Sequence, residues 1–213
     1  MNELIKVLQK KSAELNLFSA GDRLKLGEKH IPDALAVLNF WGVQPGEHVA
    51  DIGTGGGIPG LVLADAARNV NFTLVDATAK KVDAVLEMAG ELGLENVAGL
   101  YGRFEELAHD PHYREKFDAV VARAVAELPV LLEYVSGFLK VGGSFWAWKA
   151  EDYAAELASS TKAQEILKLK FVHVHKYELP SGEARVILEF KKTGPLPGGY
   201  PRKNGTPKAK PLV

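Results

Sequence analysis

The stretch Val49–Ala67, VADIGTGGGIPGLVLADAA, sets a glycine-rich loop between an apolar run ending at Asp51 and an apolar segment of helical character. A strand, a glycine loop and a helix in that order build the ligand-holding corner of a doubly wound α/β sheet. Two frames fit the glycines. Counted from Gly55, the loop reads G-x-G-x-x-G (Gly55, Gly57, Gly60), a dinucleotide fingerprint. Counted from Asp51, it reads D-x-G-x-G-x-G (Asp51, Gly53, Gly55, Gly57), with a carboxylate ahead of the glycines where it can orient a cationic amino group. The two frames predict different ligands, and the loop alone leaves both open.

Working outward, apolar runs alternate with helical periods. NFTLVD (71–76) predicts a second strand and VAGLYG (97–102) a third. FDAVVARA (117–124) and GGSFWAWKA (142–150) follow as the fourth and fifth. Between them, TAKKVDAVLEMAGELG places Val82, Val85, Leu86, Ala89 and Leu92 on one helical face with Gly93 as its stop, and Leu128, Leu131, Leu132, Val135 and Phe138 share another. FVHVHKYEL and ARVILEF, joined by PSGE, read as a hairpin, so one of the two strands must oppose the rest. The expected fold is α/β, a Rossmann-like, mostly parallel seven-stranded sheet finished by a C-terminal antiparallel hairpin.

Three regions follow from composition. Residues 1–45 read as a helical extension with helices near 2–17 and 31–41, and residues 46–190 as the ligand-binding domain. Residues 191–213 read as a basic Gly/Pro-rich tail without hydrophobic period, extended and ordered by a partner. Net charge is −1, yet no acidic residue follows Glu189 while Lys191, Lys192, Arg202, Lys203, Lys208 and Lys210 are cations. Such a tail serves either solubility or contact with a polyanion such as RNA, through Arg202 and Lys203 among others.

At 213 residues and 46% hydrophobic content, the chain can bury one sizeable core. No run approaches the roughly 18 to 20 apolar residues of a membrane span, and the N-terminus lacks a secretory pattern, so a soluble cytoplasmic protein is expected. Cysteine is absent, which excludes thiolate nucleophiles, disulfides and cysteine metal sites. His173 and His175 share a strand face without a third ligand within reach, so a surface pair is expected and no metal. His109 and His112 are placed in a solvated loop, and Trp146 and Trp148 in the core.

Asp76 ends the second strand about twenty residues beyond the loop, where a carboxylate accepts from ribose hydroxyls; capping the next helix is its plainer role. A carboxylate four residues before Gly55 has no duty in the dinucleotide frame. The frame from Asp51 resembles the first motif of S-adenosylmethionine (SAM) methyltransferases, and GRFEEL after the third strand supplies an acid where such enzymes bind adenine.

The resemblance then becomes specific. From about Asn16 to Phe190 the sequence resembles the ribosomal RNA small subunit methyltransferase G family, also called glucose-inhibited division protein B. The motifs are LNLFS (15–19), KHIPDAL (29–35), DIGTGGGIPGL (51–61), LVDATAKKVDAVLE (74–87), GRFEEL (102–107), VVARAVAEL (120–128) and WKA (148–150). GYPRKNGTPKAKPL at the end resembles the tail of some members. Departures are Phe18 where threonine is usual, Pro32 within the histidine motif, and Val125 and Ala150 in place of phenylalanine and glycine.

The resemblance implies methylation of N7 of a guanosine in the decoding-centre loop of 16S rRNA, on the free RNA or the small ribosomal subunit, by a monomer. It implies SAM on Gly53, Ile58, Asp76, Phe104, Glu105 and Arg123, with Asp51, Gly55 and Gly57 shaping the loop. Arg123 and Lys149 are the catalytic candidates, a structural salt bridge being the plainer role of Arg123. Lys29, His30 and Asp33 form an expected RNA-facing wall, with a packed, hydrogen-bonded His30 as the alternative. The N/D-P-P-Y/F motif that orients exocyclic amines is missing; ARAVAE stands in its place. An NAD-dependent oxidoreductase and a non-catalytic SAM- and RNA-binding protein are the competing readings.

Overall fold

The computed structural model describes residues 2–213. Helix α1 (Asn2–Leu15) and a run of short turns come first: α2 (Ala20–Leu24), a π turn (Leu26–His30), α3 (Ile31–Leu35) and a 3-10 turn (Ala36–Asn39). The alternation then starts with β1 (His48–Ile52), α4 (Gly60–Ala66), β2 (Asn71–Asp76), α5 (Ala79–Glu91), β3 (Val97–Tyr101) and α6 (Phe104–Leu107). It continues through β4 (Phe117–Arg123), α7 (Leu128–Ser136), β5 (Leu139–Lys149), α8 (Ala154–Ser159) and α9 (Thr161–Leu167). The chain closes with β6 (Leu169–Glu178), β7 (Ala184–Lys192) and α10 (Thr206–Ala209).

The seven strands form one sheet in the order β3-β2-β1-β4-β5-β7-β6. The first five pair in parallel, whereas β7 is antiparallel to both β5 and β6, as the hairpin reading requires. Strand order reverses between β1 and β4, so the crevice beyond their carboxyl ends is the place for a ligand. The ends of β1, β2 and β4 there are Ile52, Asp76 and Arg123.

Apolar side chains on each sheet face drive the packing. One face collects Val49, Phe72, Leu74, Ala119 and Val121 against α1, α3, α4 and α5. The other collects Ile52, Val75, Val120 and Phe145 against α7, α9 and the C-terminal segment. All five residues expected on the inner face of α7 and its exit are buried, and on α5 Val82, Val85 and Ala89 are. Leu86 is not: it is 39% exposed, and Met88 takes an inner place.

Three expectations are corrected. Helix α1 stops at Leu15, because Asn16 turns left-handed (φ 52°). Residues 20–30, expected to be a linker, are helical: the Ser19 hydroxyl accepts the Asp22 N–H (3.1 Å) and donates to the Asp22 carboxylate (2.6 Å), a reciprocal cap. The segment after Lys192 is not left for a partner to order. Leu196, Pro201, Pro207 and Leu212 are buried, and the Arg202 guanidinium forks onto the fully buried Glu133 carboxylate (Nη2–Oε2 2.6 Å, Nε–Oε1 2.9 Å). Lys192 is likewise interior, donating to Ser136 O (2.6 Å) and pairing with Glu115 (3.1 Å). His109 stays exposed in the loop after α6, as expected, with Nε2 bonded to Pro201 O (2.7 Å).

Candidate active site

The glycine loop leaves β1 with positive φ at Gly53, Gly55 and Gly57. At Gly55 (φ 55°) this turns the N–H onto Asp76 Oδ2 (3.1 Å), which ties the loop to the end of β2. Asp76 Oδ1 accepts the Thr78 N–H (2.9 Å), so the carboxylate also starts α5, while both oxygens keep lone pairs for further donors. Gly60 is fixed by close approach: a Cβ there would sit 2.6 Å from Asp51 Oδ2 and 2.3 Å from Leu74.

Asp51 lies beneath the loop, not on its open side. It is fully buried, and Oδ2 accepts the Gly60 N–H (2.9 Å). Burial pushes its carboxyl up to about 6, against the opposing pull of Thr54 and the Gly60 N–H. Asp51 Oδ1 and the Thr54 hydroxyl are both buried without a well-formed hydrogen bond. Thr54 lines the cavity above the loop and Asp51 does not, so the carboxylate acts on a cationic amino group there through its charge and not by direct contact.

A cavity of about 550 Å³ opens above the loop, lined by Gly53–Gly56, Ile58, Asp76, Phe104 and Arg123. Phe18, Leu17 and Asp22 of the N-terminal extension close its near side. Phe18 presses on the loop so tightly that a Cβ at Gly56 would lie 2.5 Å from its ring. A glycine-floored cavity with a ribose-competent carboxylate, an apolar ring and orphaned acceptors below fits a nucleoside bearing an ammonium group, which describes SAM. Glu105 is buried and Gly57 forms the loop's inner turn against Leu61, so neither lines this cavity.

Arg123, at the end of β4, separates this cavity from a neighbour of about 430 Å³ lined by Lys29, His30, Asp33, Arg123, Trp148 and Lys149. Its guanidinium donates to Asp33 Oδ2 (2.7 Å) and to His30 Nδ1 (3.2 Å). Guanidinium can only donate, so His30 Nδ1 must be a bare acceptor and its proton sits on Nε2, facing Asp22 Oδ1 (3.2 Å). Burial, reinforced by the Arg123 charge, holds the imidazole below its ordinary value of 6.5. Asp33, carried on α3, is clamped from two further elements: its Oδ1 accepts the Tyr177 hydroxyl (2.5 Å) and its carbonyl accepts Trp148 Nε1–H (2.8 Å). Burial and the Asp33 charge push the Tyr177 phenol well up.

The sequence-selected residues therefore gather, but not in the expected relation. His30 and Asp33 are interior partners of Arg123, and the packed alternative describes His30. Lys29 pairs with Glu183 of the β6–β7 turn (2.8 Å), and Lys149 with Glu156 (2.5 Å) and Ala126 O (3.0 Å). Arg202 lies far along the tail, engaged with Glu133, which corrects its expected role as a free RNA-binding cation; Lys203 is exposed. Tyr177 and Glu156 were not signalled by any motif, and Trp148, within WKA, was read only as core, since their roles depend on β5, β6 and α8 converging. Among the described residues, no group of three His, Cys, Asp or Glu could hold a metal ion.

Comparison with known proteins places these features. The model of the family rRNA small subunit methyltransferase G matches residues 1–185. A ribosomal RNA small subunit methyltransferase G of Desulfitobacterium hafniense is 43% identical over 201 residues, covering 94% of this chain and 83% of that protein. Its namesake from Exiguobacterium sp. is 38% identical over 201 residues, covering 94% and 84%. Among solved structures, a SAM-dependent methyltransferase from Aquifex aeolicus shares the fold with a TM-score of 0.56 at 19% identity, over 78% of this chain and 92% of that one. The oxidoreductase reading of the glycine loop gives way to this match.

Proposed function

Because the chain belongs to the rRNA small subunit methyltransferase G family, we propose that it transfers a methyl group from SAM to N7 of a guanosine in the decoding-centre loop of 16S rRNA. The observation that carries this reading is the position of Arg123, whose side chain borders both the glycine-loop cavity and the cavity beside it. A base entering the second cavity meets the methyl donor at that border.

Bound SAM supplies an electrophilic methyl group on its sulfonium. The glycine loop and Asp76 hold the nucleoside end, Ile58 and Phe104 supply apolar walls, and the Asp51–Thr54 pair beneath the loop receives the amino group's charge through its neighbours. Arg123 holds the floor between donor and acceptor, and Lys149 presents a cation at the rim. Guanine N7 carries a lone pair and no proton, so transfer needs no base. The residues agree: both His30 nitrogens are engaged with Arg123 and Asp22, which leaves the imidazole no lone pair to accept a substrate proton. Rate then comes from holding N7 and the methyl carbon in line at near-attack distance.

Lys29 and Lys149, both partly screened by carboxylates, and exposed Lys203 are the cations proposed to meet the RNA backbone. No helix among the described residues is long and apolar enough to cross a membrane, and we read the enzyme as a cytoplasmic monomer acting on rRNA or the small subunit. Incubation of unmodified small-subunit RNA with labelled SAM tests the reading: label in RNA supports it, whereas binding of both ligands without transfer would leave a SAM- and RNA-binding protein.

A further inference from the structure

A third cavity, of about 500 Å³, continues from the glycine-loop cavity on the side away from Asp33. The two share Ala77, Phe104 and Val125, and the third extends past Phe104 to Glu105, Tyr134, Lys208 and Pro211. With the ribose of SAM on Asp76, the part of the ligand that would extend beyond Ala77 and Phe104 is its base. Two of the walls there belong to the C-terminal segment.

That segment also sets the opposite wall. Helix α6 is a single turn of four residues and cannot fix its own orientation. The Gly205 N–H donates to Glu105 Oε1 (2.9 Å), and Arg103 Nε donates to Asn204 Oδ1 (3.1 Å), so residues 204 and 205 hold the residues on either side of Phe104 at the start of the turn. The grip is anchored in turn: Arg202 to buried Glu133, Pro201 O to His109, and Tyr200 O to Arg114 Nη1 (2.9 Å). With one oxygen held by Gly205, the Glu105 carboxylate is fixed with its other oxygen free to accept from an exocyclic amine.

We infer that the segment from Tyr200 to Pro211 is a structural part of the adenosine subsite, Lys208 and Pro211 bounding the base and residues 204–205 orienting α6 toward it. This rests on the SAM reading above. It makes the basic tail a cofactor-binding element, whose cations lie where a solvated RNA arm was expected.

The test compares the full chain with a Lys208→Ala/Pro211→Ala variant, measuring calorimetric affinity for S-adenosylhomocysteine and for 5′-methylthioadenosine, which lacks the amino-acid end. Lost contact with the Pro211 ring and the Lys208 stem should weaken both ligands by the same factor, about fivefold to tenfold. Unchanged affinities, or a loss confined to S-adenosylhomocysteine, overturn the inference. If the unaltered chain binds neither ligand, the SAM reading itself fails. A second measurement needs no variant: either ligand should slow tryptic cleavage after Lys203 and Lys208, while free methionine should not. Cleavage at the same rate with and without saturating ligand contradicts a tail that walls the subsite.

Discussion

Arg123 reaches Asp33 at 2.7 Å across ninety residues of sequence, and the two side chains are 16% and 9% exposed. The pair fixes the guanidinium that borders both cavities. Replacing Arg123 by alanine should lower methyl transfer by about a hundredfold, because a misplaced acceptor loses that much through orientation alone. Arg123→Lys should not rescue it, since lysine is shorter and lacks the planar fork whose separate nitrogens hold Asp33 and His30. Single-turnover kinetics with saturating SAM check both variants; wild-type rates would remove Arg123 from the site.

Asp33 predicts a stability effect separable from catalysis. Its carboxylate answers Arg123 and Tyr177 in a nearly dry setting, so Arg123→Ala leaves a buried charge unpaired and should cost roughly 3–5 kcal/mol of unfolding free energy. The double variant Arg123→Ala/Asp33→Asn should recover part of that cost while remaining inactive. Urea unfolding of the two variants reads the difference.

His30 predicts a pH dependence. The groups facing it are Asp22, Arg123 and Asp33, with the Phe18 ring stacked alongside at 6.3 Å. Its folded-state pKa lies below 6.5, so folding favours the neutral ring. That contribution to stability is complete above about 6.5 and is lost as pH falls through the folded value. Protonation also sets an N–H against the guanidinium, so kcat should fall on the acid side with a single proton. In His30→Gln, which keeps an acceptor for Arg123, that acid limb should vanish.

Asp51 carries the opposite sign. Its carboxyl titrates at about 6 in the fold against an ordinary value of 3.8, so the fold is most favoured below 3.8 and pays the ionisation cost as pH rises past about 6. Asp51→Asn should therefore raise stability at pH 7.5 by about 2–3 kcal/mol, with the gain fading as pH falls from about 6 to 3.8. The same change should weaken SAM binding, because the negative charge beneath the loop is gone. Thermal melts across pH, paired with calorimetry, test the trade.

Of the tail cations, Lys203 is exposed while Arg202 and Lys192 serve interior carboxylates. Arg202→Ala is expected to destabilise the fold by roughly 3–5 kcal/mol by stranding Glu133. Lys203→Ala should leave stability alone and reduce the salt slope of RNA binding by about 0.7 to 0.9, one phosphate contact. An unaltered slope would confine Lys203 to solubility.

The sheet and its hairpin were legible because period-two and period-3.6 patterns are written in neighbouring residues. Asp51 and Gly53 were legible because they lie in one continuous stretch at the end of β1, and Asp76 because it ends the next strand. What escaped is non-local. The buried positions of the tail, Leu196, Pro201, Pro207 and Leu212, are isolated by glycine, proline and lysine, so no period announces them, and the anchor of Arg202 lies 69 residues away at Glu133. Helices α8 and α9 carry no long apolar face; only Ala163 and Leu167 are buried on them. His30 and Asp33 do line the cavity beside Arg123, but helical spacing reports a shared face and gave no sign of the guanidinium pressed against it. Ser19 and Asp22, a capping signature three residues apart, could have revealed α2.

The central claim, methyl transfer from SAM to guanine N7, is tested most directly by mass spectrometry of nuclease digests after incubating unmodified small-subunit rRNA with the enzyme and SAM. One 7-methylguanosine in the decoding-centre loop of 16S rRNA, absent with the Arg123→Ala variant, is the predicted result. A methyl group on another base or another atom of guanine, or unmodified RNA despite measured binding of SAM, would contradict it.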